Sequence, residues 1–148
     1  MSLSNARTLA RRNAVQAIYQ WQITHADLSE IERQFVEEHG LGKADPEYFS
    51  ELLHTIPSRL DEIDRALVEF SDRGVEEIDP VERAVLRIGC YELMFRPDIP
   101  YRVALNEGVN LAKAFGAAHS HKYINGILDK IAHKRLPDEI SAHRAGRL

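Results

Sequence analysis

Apolar residues recur along this chain at three- and four-residue spacing, with no useful stretch alternating in twos, so helices are predicted throughout and strands nowhere. Ala10, Ala14, Ala17 and Trp21 form one stripe between Ala6 and about Thr24. Ser29 followed by Glu32 reads as a capping box opening a second helix with Ile31, Phe35 and Val36, which stops at Gly40-Leu41-Gly42. Asp45-Pro46 opens a third, with a carboxylate cap and a proline where the missing N–H costs nothing. Phe49, Leu52, Leu53 and Ile56 follow. Pro57 is expected to kink or restart the helix, which continues through Leu60, Ile63, Leu67 and Phe70 to a stop at Arg73-Gly74.

The second half repeats the start signal. Asp79-Pro80-Val81-Glu82 predicts a helix whose buried face carries Val81, Ala84, Val85, Ile88, Tyr91 and Phe95, ending before Pro97. A further helix spans about Tyr101 to Phe115, with Gly116 as its expected left-handed cap. Ser120 is expected to cap the last clear helix, through Ile124, Ile127, Leu128 and Ile131, and Pro137 to end it. The fold class is therefore all-α, a compact helical fold of two small subdomains. The expected division is 1–74 and 79–135 within one domain spanning 1–148, with 136–148 a flexible tail. Trp21 and Tyr91 are assigned to the core. Asn125-Gly126 reads as a close helix-packing site, and Asn106 as a structural residue bonding to a neighbouring loop.

Composition changes the picture little. The chain has 148 residues, 44% hydrophobic and 28% charged, ordinary values for a globular protein. No apolar run approaches the roughly 18 residues of a membrane span, and the polar, basic start from Met1 to Arg12 has no apolar core of a secretory signal. With a single cysteine, Cys90, no internal disulfide can form, and a cytoplasmic location is expected. Charge is more informative. Residues 1–26 carry Arg7, Arg11 and Arg12 and no acid; residues 133–148 carry four cations against Asp138 and Glu139. Taking +3 and +2 from the net −4 leaves −9 for residues 27–132. An acidic body with basic ends suits an anionic partner at the ends and a basic partner on the body.

The chemistry of catalysis is missing. There is no glycine-rich phosphate loop and no nucleophile elbow. His119 and His121 stand two apart, a spacing at which helical side chains do not face one another, so no metal is expected. Cys90 lies in an apolar stretch, where a buried structural thiol is expected rather than a nucleophile. The first helix says more. Arg7 and Arg11 are one turn apart on one face, and Arg12 and Tyr19 share a neighbouring stripe. Arginine forks suit phosphate oxygens and an aromatic can stack on an unpaired base. The alternative reading is of ordinary arginines on a surface helix.

Larger blocks carry a resemblance. Ala14-Val15-Gln16-Ala17-Ile18-Tyr19-Gln20-Trp21-Gln22 resembles the first helix of the NusB family of bacterial transcription antitermination proteins. Val81-Glu82-Arg83-Ala84-Val85-Leu86-Arg87-Ile88-Gly89 with Tyr91-Glu92-Leu93 is similar to that family's fourth-helix signature. Val103-Ala104-Leu105-Asn106-Glu107, Ala112-Lys113, Phe115-Gly116 and Ser120-His121-Lys122-Tyr123-Ile124-Asn125-Gly126-Ile127-Leu128-Asp129-Lys130 follow in order. The similarity covers roughly residues 6–132.

The resemblance implies a transcription antitermination factor that binds boxA-type single-stranded RNA of ribosomal RNA leaders together with NusE, a small-subunit ribosomal protein, within the RNA polymerase antitermination complex. It implies no cofactor, no enzymatic activity and no membrane, and it allows a homodimer. Position by position, it implies RNA contacts at Arg7, Arg11, Arg12, Phe70, Lys122 and Tyr123. It implies partner contacts at Tyr19, Glu76 and Glu82, with His119 at a loop position near the same surface. Phe70 and Tyr123 also have a plain reading as core aromatics. The chain departs from the pattern at Thr8 and Leu9, where some relatives carry further arginines, and at His119, where an acid can occur. A protein-interaction module with little RNA binding is the alternative. A related helical domain occurs fused to RNA cytosine methyltransferases, but nothing in this sequence could bind a methyl donor.

Overall fold

The computed structural model describes residues 2–146, so Arg147 of the basic tail lies outside the described residues. They form eight α-helices, one short 3₁₀ turn and no strand, the all-α class that the periodicity predicts. The chain divides into two compact units, one ending at Leu60 and the other starting at Asp61.

The first unit holds α1 (Leu3–Thr24), α2 (Leu28–His39) and α3 (Pro46–Ser58). Ser2 caps α1 by accepting from the Asn5 amide at 3.2 Å. The buried stripe includes Ala10, Ala14, Ala17 and Ile18, and its small side chains bring α3 close. Trp21, expected in the core, is half-buried at the end of that stripe and meets His25 edge to face at 5.9 Å. Asp27, not Ser29, caps α2: its carboxylate accepts from the Glu30 amide at 3.1 Å. Ser29 already lies inside the first turn, where a side chain no longer faces the free amides. Asp45 caps α3 as predicted, accepting from the Tyr48 amide at 3.0 Å ahead of Pro46.

Pro57 sits in the last turn of α3, and a new helix, α4 (Leu60–Phe70), starts after Arg59. The division at Leu60/Asp61 replaces the one expected at 74–79, because α4 is tied to the helices that follow it. Arg87 grips Asp64 with two hydrogen bonds of 3.0 and 2.9 Å. The Cys90 thiol points at the Ile63 carbonyl, 3.8 Å away. A planar guanidinium on a carboxylate, with the Arg87 side chain almost fully buried, fixes both helices in register.

The rest of the second unit is the turn Val75–Glu77, α5 (Pro80–Phe95), α6 (Tyr101–Phe115), α7 (Ser120–Arg135) and α8 (Pro137–Arg144). Asp79 accepts from the amides of both Val81 and Glu82, at 3.0 and 3.2 Å. α5, α6 and α7 pack mutually around Leu128. A Cβ on Gly89 of α5 would stand 2.6 Å from Leu128 Cδ1, and one on Gly108 of α6 2.8 Å from the same atom. Two glycines on neighbouring helices thus make a socket for one leucine. Burial pushes the Cys90 thiol up to about 12, so it is an inert core group.

Two expectations at helix ends are corrected. Gly116 is not left-handed; its φ of −89° and ψ of 174° are extended. Space requires the glycine there, since a Cβ would meet Ser120 Oγ at 2.3 Å and the Ala112 carbonyl at 2.8 Å. The left-handed residue is His119, with φ 70°, and it takes the cap position before α7 expected of Ser120. The stretch expected to be a flexible tail forms α8 up to Arg144. Ile140 is buried, Glu139 accepts from the Tyr101 amide at 2.7 Å, and His143 lies edge-on to the Tyr101 ring. Asn106 is exposed.

Leu128→Ala empties the socket, and the loss is expected to be roughly 2–5 kcal/mol in urea unfolding. A loss below 1 kcal/mol would show that α5 and α6 do not depend on this side chain.

Candidate nucleic-acid interface

The three arginines of α1 part company in the structure. Arg12 is exposed. Arg11 is only 2% exposed, and its guanidinium carbon lies 5.5 Å from the centre of the Tyr48 ring. Arg7 is half-buried on the same ring, at 5.2 Å. Tyr48 is buried, on the first turn of α3, where the Asp45 amide also donates to the Ala6 carbonyl at 3.0 Å. Arg7 and Arg11 therefore bracket an aromatic ring and hold the start of α3 against α1. This corrects the expectation for Arg11: being one turn from Arg7 puts it on the packed face, out of reach of an external phosphate. Arg12, one residue on, points to solvent.

In the second unit, Phe70 at the end of α4 and Lys122 and Tyr123 on the first turn of α7 come together. They line a groove of about 260 Å³ with Asp72, Gly126, Ile127 and Lys130. Phe70 and Tyr123 are half-buried, anchored at one edge and open at the other, rather than core aromatics. The Tyr123 hydroxyl shares a hydrogen bond of 2.8 Å with Ser71 Oγ, which fixes the ring. The Arg73 guanidinium stacks over that ring at 4.5 Å. The Asp72 carboxylate beside it, accepting from Arg73 Nε at 3.2 Å, raises the Arg73 pKa, and the phenol and Glu82 add to the effect. An aromatic platform flanked by cations is suited to an unpaired base and its phosphate.

The residues implied for the protein partner fall in both units. Tyr19 is 41% exposed on α1, and Ile23, one turn further, is 55% exposed. In the second unit, Glu76 lies in the turn before α5, its side chain 89% exposed and 3.6 Å from Arg83. Glu82 is half-buried in the first turn of α5. Burial pushes its carboxyl above the ordinary range and the Asp79 carboxylate adds to this, against the pull of Arg73. His119 is exposed before α7. Glu82 and Tyr123 thus share Arg73 as a neighbour.

Reading the sequence missed Asp72, Gly126, Ile127 and Lys130 as lining of this groove, and Ser71 and Arg73 as the groups that hold Tyr123. Lys122, Gly126 and Lys130 are spaced by four, so one face of a helix was legible; Ser71 and Arg73 lie between elements and carry no periodic signal. His119 and His121 stay apart in role, and among the described residues no group of three or more histidine, cysteine or acidic side chains converges on a metal-sized space. No helix among them is long and apolar enough to cross a membrane.

The NusB family model matches residues 8–133. The chain is 43% identical to the transcription antitermination protein NusB of Methylococcus capsulatus, over 97% of this chain and 100% of that one. It is 52% identical to that of Nitrosococcus oceani, over 89% and 88%. Among solved structures it is similar to T. maritima NusB, with a TM-score of 0.75 and 28% identity over 91% of this chain and 96% of that chain. It is also similar to a chain in the crystal structure of the antitermination factors NusB and NusE in complex with double-stranded RNA. There the TM-score is 0.78 and the identity 25%, over 88% and 98%.

The two neighbouring arginines should separate cleanly. Arg11→Ala is expected to cost about 1–3 kcal/mol in chemical unfolding, and Arg12→Ala less than about 0.5; equal losses would undo the assignment of Arg11 to packing. Glu82 gives a pH test. Its folded pKa is raised, so the charged carboxylate costs stability above that value, and the cost vanishes once pH falls below the unfolded value. Glu82→Gln should therefore raise the thermal midpoint at pH 7, with the gain fading as pH falls through the carboxylate range. A gain that persists at low pH would point to a cause other than charge.

Proposed function

The chain belongs to the NusB family of transcription antitermination proteins, and from that premise we propose that it binds boxA-type single-stranded RNA of ribosomal RNA leaders together with NusE. The observation that carries the RNA part is the groove between α4 and α7, where Phe70 and Tyr123 offer ring faces beside Lys122. A fixed, half-open aromatic ring takes a base of any identity at roughly 1–3 kcal/mol per stacked base. Lys122 supplies a phosphate contact beside the platform, and Arg12, exposed on α1, is the phosphate contact of the first unit. Each such contact on a single strand adds about −0.7 to the log–log salt slope.

The partner part rests on exposed groups. Tyr19 and Ile23 leave an apolar stripe uncovered on α1, and Glu76 and Glu82 add carboxylates suited to a basic ribosomal protein. The −9 carried by residues 27–132 favours the same kind of partner. The protein works by binding alone, in the cytoplasm, and RNA and NusE together recruit it to the transcription complex. A few phosphate contacts and one or two stacked bases amount to weak binding, on the order of micromolar. A second protein on the same RNA raises affinity through effective concentration.

The test is fluorescence anisotropy of a labelled boxA-type RNA and a scrambled control, with and without NusE. Preference for boxA, a gain of about tenfold or more with NusE, and loss in Arg12→Ala/Tyr123→Ala are expected. Equal binding of both RNAs, or a double variant that binds as wild type, would leave an interaction module with little RNA binding.

A further inference from the structure

Gly126 has no reason inside the protein to be a glycine. Of the glycines within helices, Gly89 and Gly108 are required by Leu128. Gly126 lies in the middle of α7 with ordinary helical backbone, is exposed, and would have nothing within 4 Å of an added Cβ. The reading of Asn125-Gly126 as a helix-packing contact is thereby corrected. A glycine inside a helix weakens it relative to nearly any other residue. What Gly126 does instead is line the groove, one turn beyond Tyr123 and one turn before Lys130.

The groove also continues past the implied residues. A second hollow, of about 550 Å³, is lined by Glu69, Phe70, Asp129, Lys130, His133 and Lys134. Phe70 and Lys130 line both hollows, so the two form one track along the outer face of α7. Two of its carboxylates have a local cation, Asp72 with Arg73 and Glu69 with Lys134, and the His133 imidazole stands 3.4 Å from Asp129. Lys122 and Lys130 are exposed and in no ion pair among the described residues. The track therefore presents two lysines outside any ion pair, eight residues or about 12 Å apart along the helix. That is the run of three or four stacked nucleotides at about 3.4 Å each.

We infer that the bound RNA runs on from Tyr123 along α7 to a phosphate contact at Lys130, and that Gly126 is bare so that the strand lies directly against the helix between the two lysines. This deepens the RNA reading and rests on it. A side chain at position 126 would stand in the path between the platform and Lys130 and lift the strand off both.

The experiment uses the full chain, with and without NusE, and the labelled boxA-type RNA. Gly126→Gln replaces the glycine by a good helix former, so the thermal midpoint should rise by about 2–4 °C while RNA affinity falls tenfold or more. A loss of binding in a more stable protein cannot come from misfolding. Lys130→Ala should leave the midpoint unchanged, weaken binding about fivefold, and make the salt slope shallower by about 0.7, the share of one phosphate on a single strand. If wild type prefers boxA-type RNA but Gly126→Gln binds equally well, or Lys130→Ala keeps the full slope, the extended track is overturned and the family function stands. A Gly126→Gln protein less stable than wild type would overturn the premise that nothing inside the protein needs this glycine. No boxA preference in wild type would remove the RNA reading itself, and the track with it.

Discussion

Leu128 can lie where it does only because positions 89 and 108 carry no side chain. Side chains on any helix leave it in a fixed angular order, so once Leu128 points into the socket the direction of every other residue of α7 is set. Ile124, Ile127 and Ile131 turn inward with it. Lys122, Gly126 and Lys130 must then turn outward, and Tyr123 falls at the margin, with its ring packed on one edge and open on the other. The outer face is thus a consequence of how the inner face packs. Two glycines and a leucine in the core decide which residues a partner meets.

The arginines of α1 make the opposite point about charge. A basic cluster read along the chain is a set of equal cations, but folding sorts them. Arg11 surrenders its solvation to lie on Tyr48, where the flat guanidinium recovers part of the cost against the ring face. Arg7 shares that ring. The charge remains near the start of the chain, yet only Arg12 presents it fully to solvent. Counting residues therefore overstates the charge that a phosphate would meet.

The parts of the fold legible in the sequence are those set by local chemistry. Both Asp-Pro starts appear where predicted, because a carboxylate cap and a proline act within one turn. The restart after Pro57 follows from the same local rule. What the sequence leaves ambiguous is decided at longer range. Asp27 and Ser29 are both good caps, and Asp27 is used because packing sets where α2 begins. Gly116 looks like a flexible cap, yet the constraint there is Ser120 Oγ, four residues away, and the left-handed turn passes to His119. The division at Leu60/Asp61 depends on Arg87 reaching Asp64 across 23 positions, and α8 depends on Glu139 reaching the start of α6 across 38. The groove shows the same split. Phe70, Lys122 and Tyr123 were implied by resemblance, and the spacing of 122, 126 and 130 was visible; Ser71 and Arg73, which fix and polarise the tyrosine, were not.

Fixing the tyrosine matters for how a modest site can act selectively. A freely rotating ring would surrender its rotamer freedom on stacking, and that loss is subtracted from whatever the base contributes. Here the freedom is already spent: Ser71 holds the hydroxyl and Arg73 covers one face of the ring. Only the other face can take a ligand. Asp72, accepting from Arg73 Nε at 3.2 Å, helps hold the guanidinium over the ring, so the ring lies beside a fixed positive charge. Glu82 pays part of that arrangement, with its own carboxyl pushed toward the neutral form by burial and Asp79. A basic protein covering the start of α5 would favour the charged form of Glu82 and draw on the same cluster that orients the platform.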